Sequence, residues 1–184
     1  MLVCGIDEAG RAPLAGPVTA AAVILPPEFP VQILNDSKLL RPAKRIEAAG
    51  IIKRQAVAWA IGWAWPLEID RLNIHFATLL AMSRALEGVY PVPELVLVDG
   101  LYVPSCSMPA RAVVKGDRSE AAIMAASILA KTERDFWMVD YAGIEPRYGF
   151  EIHKGYPTRQ HRERLQRYGP CAIHRRSFTV SSPG

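Results

Sequence analysis

The sequence predicts an α/β domain, with a five-stranded mixed sheet flanked by helices and a helical C-terminal portion. Short apolar runs bounded by Gly and Pro come early, and longer helical patterns lie between and after them. Acids recur where the apolar runs stop. The chain has 184 residues, half of them apolar, which suits one domain with a sizeable core and argues against disorder.

The runs "LVCGID" and "VTAAAVIL" read as neighbouring buried strands. "RPAKRIEAAGIIKRQ" reads as a helix with Pro42 in its first turn. In "AVAWAIGWAW", Trp59, Ile61, Trp63 and Trp65 alternate with small residues, which predicts a third strand with one heavily packed face. These rings are expected in the core rather than as a base-stacking surface. "PLEIDRLNIHFATLLAMSRALEGV" is a helix closed by Gly88 and followed by Pro91 and Pro93. "ELVLVDG" is a fourth strand ending at Asp99, and "RAVVKGD" a fifth ending at Asp117. A long helix, "SEAAIMAASILAKTERDFWMVD", and a shorter one, "TRQHRERLQRYG", complete the pattern, with a loop near 143–157. Residues 1–184 are expected to form a single domain, with about 143–184 a basic, helical portion whose expected role, substrate binding, rests on the charge and the resemblance given below.

Net charge is only +4, but it is unevenly placed. Lys154, Arg159, Arg162, Arg164, Arg167, Arg175 and Arg176 face a single acid, Glu163. A basic C-terminal face suits a polyanion, with a solvated helix surface as the alternative. Cys4, Cys106 and Cys171 show no ligand spacing, and one is necessarily unpaired, which fits a reducing compartment. Met1 leads straight into a strand-like run rather than a signal peptide, and no apolar stretch reaches the roughly 20 residues of a membrane helix. A soluble, cytoplasmic protein with no membrane partner is expected.

Asp7, Glu8, Asp99 and Asp117 stand at the ends of three strands. Chemistry collects at strand ends in α/β sheets, because loops vary there on a rigid base. Carboxylates gathered in one cleft repel one another, and hard divalent cations with oxygen ligands offset that. Regular pleating sends Asp7 and Glu8 to opposite faces, so they share a site only if Glu8 lies beyond the regular strand. Each acid also has an ordinary role open to it. Asp117 could cap the next helix with Glu120 as its capping-box partner, Asp99-Gly100 could be a turn, and Asp7 or Glu8 could pair with Arg11. Asp135 is expected to pair with Lys131, four residues earlier.

The segments "GIDEAGRAPLAGPV", "LNDSK", "LVDG", "KGD" with "AASILAK", "HKGYPT" and "HRRSF" resemble ribonuclease HII, in the family's order from about Val3 to Phe178. The resemblance implies a ribonuclease H-like fold. It implies an endonuclease that cuts the RNA strand of RNA–DNA hybrids and nicks DNA 5′ to embedded ribonucleotides, leaving 3′-hydroxyl and 5′-phosphate ends. The family's four active-site carboxylates fall on Asp7, Glu8, Asp99 and Asp117, holding two Mg²⁺ or Mn²⁺ ions. Asp7 is expected to bridge both ions, with Glu8 and Asp99 on one side and Asp117 on the other.

The family's Gly-Arg-Gly turn and downstream tyrosine, which recognise a ribonucleotide followed by DNA, fall on Gly10-Arg11-Ala12 and Tyr156. Backbone near a glycine approaches a 2′-hydroxyl closely. Ala12 departs from the family glycine; its methyl would crowd the hydroxyl, or would forbid a positive φ if the turn needs one. Lys38 matches a family lysine near the scissile phosphate. A monomer is expected, and no protein partner is inferable.

Other readings fare less well. Gly10 and Gly16 punctuate a loop, but Pro17 stands where a phosphate-cradling P-loop carries its lysine. A nucleic-acid-binding module without catalysis would not need all the acids. A type 3 ribonuclease H is expected to carry a longer N-terminal domain, whereas the first strand here begins at residue 2 or 3.

Overall fold

In the computed structural model, which describes residues 1–34 and 41–178, β1 (Val3–Ala9) occupies the middle of a five-stranded sheet. It pairs antiparallel with β2 (Val18–Ile24), which pairs antiparallel with β3 (Ala58–Ala64) at one edge. On its other side β1 runs parallel to β4 (Leu95–Asp99), which runs parallel to β5 (Ala110–Val113). The order β3-β2-β1-β4-β5 is thus mixed, as the sequence predicts.

Helices cover both faces, so β2 is buried throughout instead of alternating with water. Its even-numbered residues Val18, Ala20, Ala22 and Ile24 pack with Cys4 and Ile6 against α2 (Pro66–Glu87). Its odd-numbered residues Ala21 and Val23 face α1 (Pro42–Gln55) and α3 (Ala121–Ile144). The α3 backbone lies directly on β1: a Cβ built at Gly5 would come within 2.2 Å of the Ala122 carbonyl carbon. The sheet's pleat therefore separates an α2 side from an α3 side, and that split decides where each acid goes.

The C-terminal portion adds α4 (Phe150–His153) and α5 (Arg159–Tyr168). Tyr148, Phe150 and Ile173 join Ala15, Met138 and Ala142 in a third cluster that fastens this portion to α3 and to the loop after β1. Thr158 caps α5, its Oγ1 accepting from the His161 amide at 3.2 Å. None of the helices among the described residues is long and apolar enough to cross a membrane.

The structure corrects two strand expectations. The fifth strand stops at Val113, and Asp117 sits beyond it in a 3₁₀ turn, Gly116–Arg118. The tryptophan face of β3 is only half-buried because β3 is an edge strand. A ladder of rings runs off its end instead: Trp63 stacks on Trp65, the residue before α2, with centroids 5.7 Å apart, and Trp65 leans on Trp137 of α3 at 5.4 Å.

Candidate active site

Three of the predicted acids converge. Asp7 comes from the α3 side of β1, Asp99 from the end of β4, and Asp117 from the 3₁₀ turn, and one oxygen of each lies within 4.8 Å of the others. Parallel pairing of β1 with β4 sets Ile6 beside Val98, so the residues that follow them emerge at the same end of the sheet. The Asp117 amide donates to Asp99 Oδ1 at 3.2 Å, tying the turn to the strand end. The capping role open to Asp117 in the sequence is not taken: Glu120 is the residue that precedes α3.

Glu8 is placed differently. The strand continues through Ala9, so Glu8 remains within the pleat and projects to the α2 side. It lies outside the three-oxygen set and lines a recess with Asp99, Arg11, His75 and Tyr102. Arg11 Nη1 stands 3.6 Å from Glu8 Oε1.

The electrostatics are those of a crowded acidic site. Burial, then the Glu8 and Asp99 carboxylates, push Asp7 well above the ordinary carboxylate range, against hydrogen bonds from the Glu8 amide and the Ser127 side chain. Burial also raises Glu8, offset in part by Arg11 and reinforced by Asp99. All the donors are hard carboxylate oxygens, and among the described residues Asp7 forms no ion pair that would neutralise it. This donor set fits Mg²⁺ or Mn²⁺ and not a thiophilic metal.

A cleft of about 640 Å³ opens beside the acids, lined by Glu8, Gly10, Arg11, Ala12, Ser127 and Tyr156 together with Arg45 and Lys131. Gly10 has φ +90°, and a Cβ there would meet Arg134 Nε at 2.0 Å, so only glycine fits. Ala12 is exposed, and its φ is not positive. The turn therefore makes no conformational demand for glycine at Ala12.

Tyr156 stands across the cleft, its ring 5.2 Å from Lys131 Nζ and 5.7 Å from Arg134 Cζ. Its carbonyl accepts from Thr158 N at 2.8 Å and lies 2.9 Å from His161 Nδ1. Lys131 pairs with Asp135 at 2.8 Å as expected, and Arg45 of α1 joins the same carboxylate at 3.4 Å. Arg45, Ser127 and Lys131 are cleft residues that the sequence reading missed. The spacing Ser127, Lys131, Arg134 is a helical i, i+4, i+7 stripe, which was the available signal. Lys38 lies outside the described residues. Arg175, counted among the exposed bases, is instead 3 % exposed and bonded to backbone.

A mixed five-stranded sheet of this order, covered by helices on both faces and carrying acids at one end of its central strands, is a ribonuclease H-like fold. The family model for ribonuclease HII matches residues 4–181. The ribonuclease HII of Moorella thermoacetica is 54 % identical over 176 residues, covering 96 % of this chain and 85 % of that one. Among solved structures, the ribonuclease H2 of Pyrococcus horikoshii superposes with a TM-score of 0.81 at 24 % identity, covering 97 % and 94 % of the two chains. The Bst ribonuclease HIII in complex with Mn²⁺ superposes at 0.70 with 16 % identity, covering 97 % of this chain and 67 % of that one. The chain belongs to the ribonuclease HII family, and it is an endonucleolytic hydrolase of the ribonuclease H class.

Proposed function

We propose that the chain hydrolyses the RNA strand of RNA–DNA hybrids and incises duplex DNA 5′ to embedded ribonucleotides, with Asp7, Glu8, Asp99 and Asp117 holding two Mg²⁺ or Mn²⁺ ions. The observation that carries this reading is the convergence of Asp7, Asp99 and Asp117 within 4.8 Å, at the edge of a cleft large enough for a nucleotide strand. When bound, such ions supply a water of lowered pKa for in-line attack on phosphorus and neutralise charge on the leaving 3′-oxygen. Asp7, almost wholly buried and pressed by the Glu8 and Asp99 carboxylates, is the acid that would gain most from a bound cation and would serve as the shared ligand. Glu8 stays in the pleat, against the condition set from the sequence, and would serve instead from the recess it shares with Asp99, where Arg11 favours its ionised form. The Mn²⁺ in the Bst ribonuclease HIII structure supports the choice of metal.

Substrate selection belongs to the two walls of the cleft. Backbone groups of Gly10, Arg11 and Ala12 approach the ribose 2′-hydroxyl, the group that separates RNA from DNA. The Tyr156 ring stacks on the next sugar, where a second 2′-hydroxyl would crowd it. Arg45 and Lys131 face the cleft and grip phosphates without reading bases.

Cleavage assays in Mg²⁺ and in Mn²⁺, with Asp99→Asn as the blank, test this reading. One substrate carries a single ribonucleotide in duplex DNA; the other is a longer RNA tract paired to DNA. Metal-dependent cutting of both is expected, and cutting of neither defeats the assignment.

A further inference from the structure

Arg134 and Arg175 take no part in the chemistry above, yet both are buried, at 0 % and 3 % exposure. Neither forms an ion pair with a carboxylate among the described residues. Burial pulls Arg134 down to about 10 and Arg175 to about 9, so both stay charged at neutral pH. Burying a guanidinium without an acid is costly, and such a cost persists where the charge has a structural task.

The task is visible in the acceptors. Arg134 donates to the carbonyls of Pro17 at 2.8 Å, Ala15 at 3.0 Å and Lys154 at 3.0 Å. Arg175 donates to the carbonyls of Gly16 at 2.9 Å, Arg11 at 2.8 Å and Gly10. Together they hold the loop after β1 by five of its carbonyls and, through Lys154, the loop that carries Tyr156. The two loops also bond directly, Leu14 N donating to the Gly155 carbonyl at 2.8 Å.

A trans peptide points its C=O and the following N–H in opposite directions. Carbonyls of Gly10 and Arg11 turned onto Arg175 therefore turn the N–H groups of Arg11 and Ala12 away from it, and no acceptor among the described residues takes them. Gly10, Arg11 and Ala12 line the cleft. We propose that Arg134 and Arg175 are positioning residues for junction selectivity: they fix the peptide orientation of residues 10–12 and the spacing between that turn and Tyr156. The proposal rests on the substrate reading given above.

The experiment compares the parent chain with Arg175→Lys and Arg134→Lys, each keeping the charge but not the fork of donors. Steady-state constants are measured in Mn²⁺ on the single-ribonucleotide duplex and on the RNA tract. The expected result is a preference of the parent for the single ribonucleotide that falls about tenfold in each variant, the order expected from losing one or two hydrogen bonds. The loss should appear in KM, with kcat on the tract within about twofold, since the acids are untouched. An equal loss on both substrates, no loss, or a parent without preference overturns the inference while leaving the nuclease reading intact. A parent that cuts neither substrate defeats the nuclease reading itself. If neither variant folds, amide exchange in the free parent decides. Leu14 and Gly16, whose amides bond to Gly155 and Ile173, should be protected without substrate, and rapid exchange there overturns a pre-set turn.

Discussion

Nε2 of His161 and Nε2 of His174 lie 3.0 Å apart in the floor beneath Tyr156, and one proton serves both. The Cys171 amide donates to His174 Nδ1 at 2.9 Å, so His174 carries its proton on Nε2. His161 Nδ1 donates to the Tyr156 carbonyl, so its Nε2 accepts. Both rings are thus neutral, and the Tyr156 loop hangs from a chain of hydrogen bonds that runs back to the C-terminal segment.

Charging either ring would set two N–H groups against each other. Burial, with His153 and Arg162 near His161 and with His161 and Arg176 near His174, lowers both rings from 6.5 to about 4, against backbone hydrogen bonds at each ring and Glu145 beside His174. A pKa below the unfolded value means that the unfolded chain binds more protons between the two values. This contribution to stability is therefore complete above about pH 6.5 and drains away as pH falls towards about 4. The melting temperature should drop steadily over that window. Imidazole NMR should show neither ring titrating near 6.5, and a ring that does so contradicts the network.

Asp99→Asn keeps an oxygen able to accept from the Asp117 amide while removing a charge from beside Asp7. The metal-free variant should melt no lower than the parent. Turnover should fall by more than about 100-fold, since even outer partners of metal ligands typically cost 10–100-fold. Mn²⁺ should raise the parent's melting temperature more than the variant's. Near-parental turnover would remove Asp99 from the site.

Gly10→Ala and Ala12→Gly should move in opposite directions. At Gly10, φ +90° and a Cβ 2.0 Å from Arg134 Nε strain the folded state. A cost of at least roughly 1–2 kcal/mol corresponds to a melting temperature lower by about 2–8 °C or more. Ala12→Gly lies at the cleft surface and should raise incision at a single ribonucleotide, leaving cleavage of an RNA tract within about twofold. Paired kinetics on the two substrates would check it; equal acceleration of both would place the methyl elsewhere.

Binding to the hybrid should weaken linearly on a log–log plot against salt, with about 0.7–0.9 units of slope per phosphate contact. Arg167→Ala, at an exposed position on α5, should remove about one contact from that slope. Arg175→Lys should leave the slope unchanged because Arg175 is almost wholly buried and its donors are taken by backbone carbonyls. Fluorescence anisotropy titrations at several KCl concentrations would read both.

Much of the site was legible because apolar runs stop abruptly at their acids. Asp7 and Asp99 stand where "LVCGID" and "ELVLVDG" place them, near the same end of paired strands. Asp117 reads as a strand end because "RAVVKGD" carries no mark of where its ladder stops; the ladder stops at Val113, and the left-handed Lys115 turns the chain into the 3₁₀ turn. The position of Glu8 hinged on one residue of strand length, which pattern alone does not resolve. Tyr156 was reached only through family resemblance. Arg134 and Arg175 were invisible for a physical reason: arginine is a surface residue by default, and backbone carbonyls that accept from it leave no trace in the sequence.

Placing Asp7 and Glu8 on β1 has a practical consequence. This strand is bonded along both edges and sealed under α3, so nothing short of opening the whole domain releases it. Heat inactivation and unfolding should then be a single event, with no dim, half-working form between them. Shelf life would follow from the durability of the fold, and any remote change that toughens the scaffold would lengthen the enzyme's working life by the same measure.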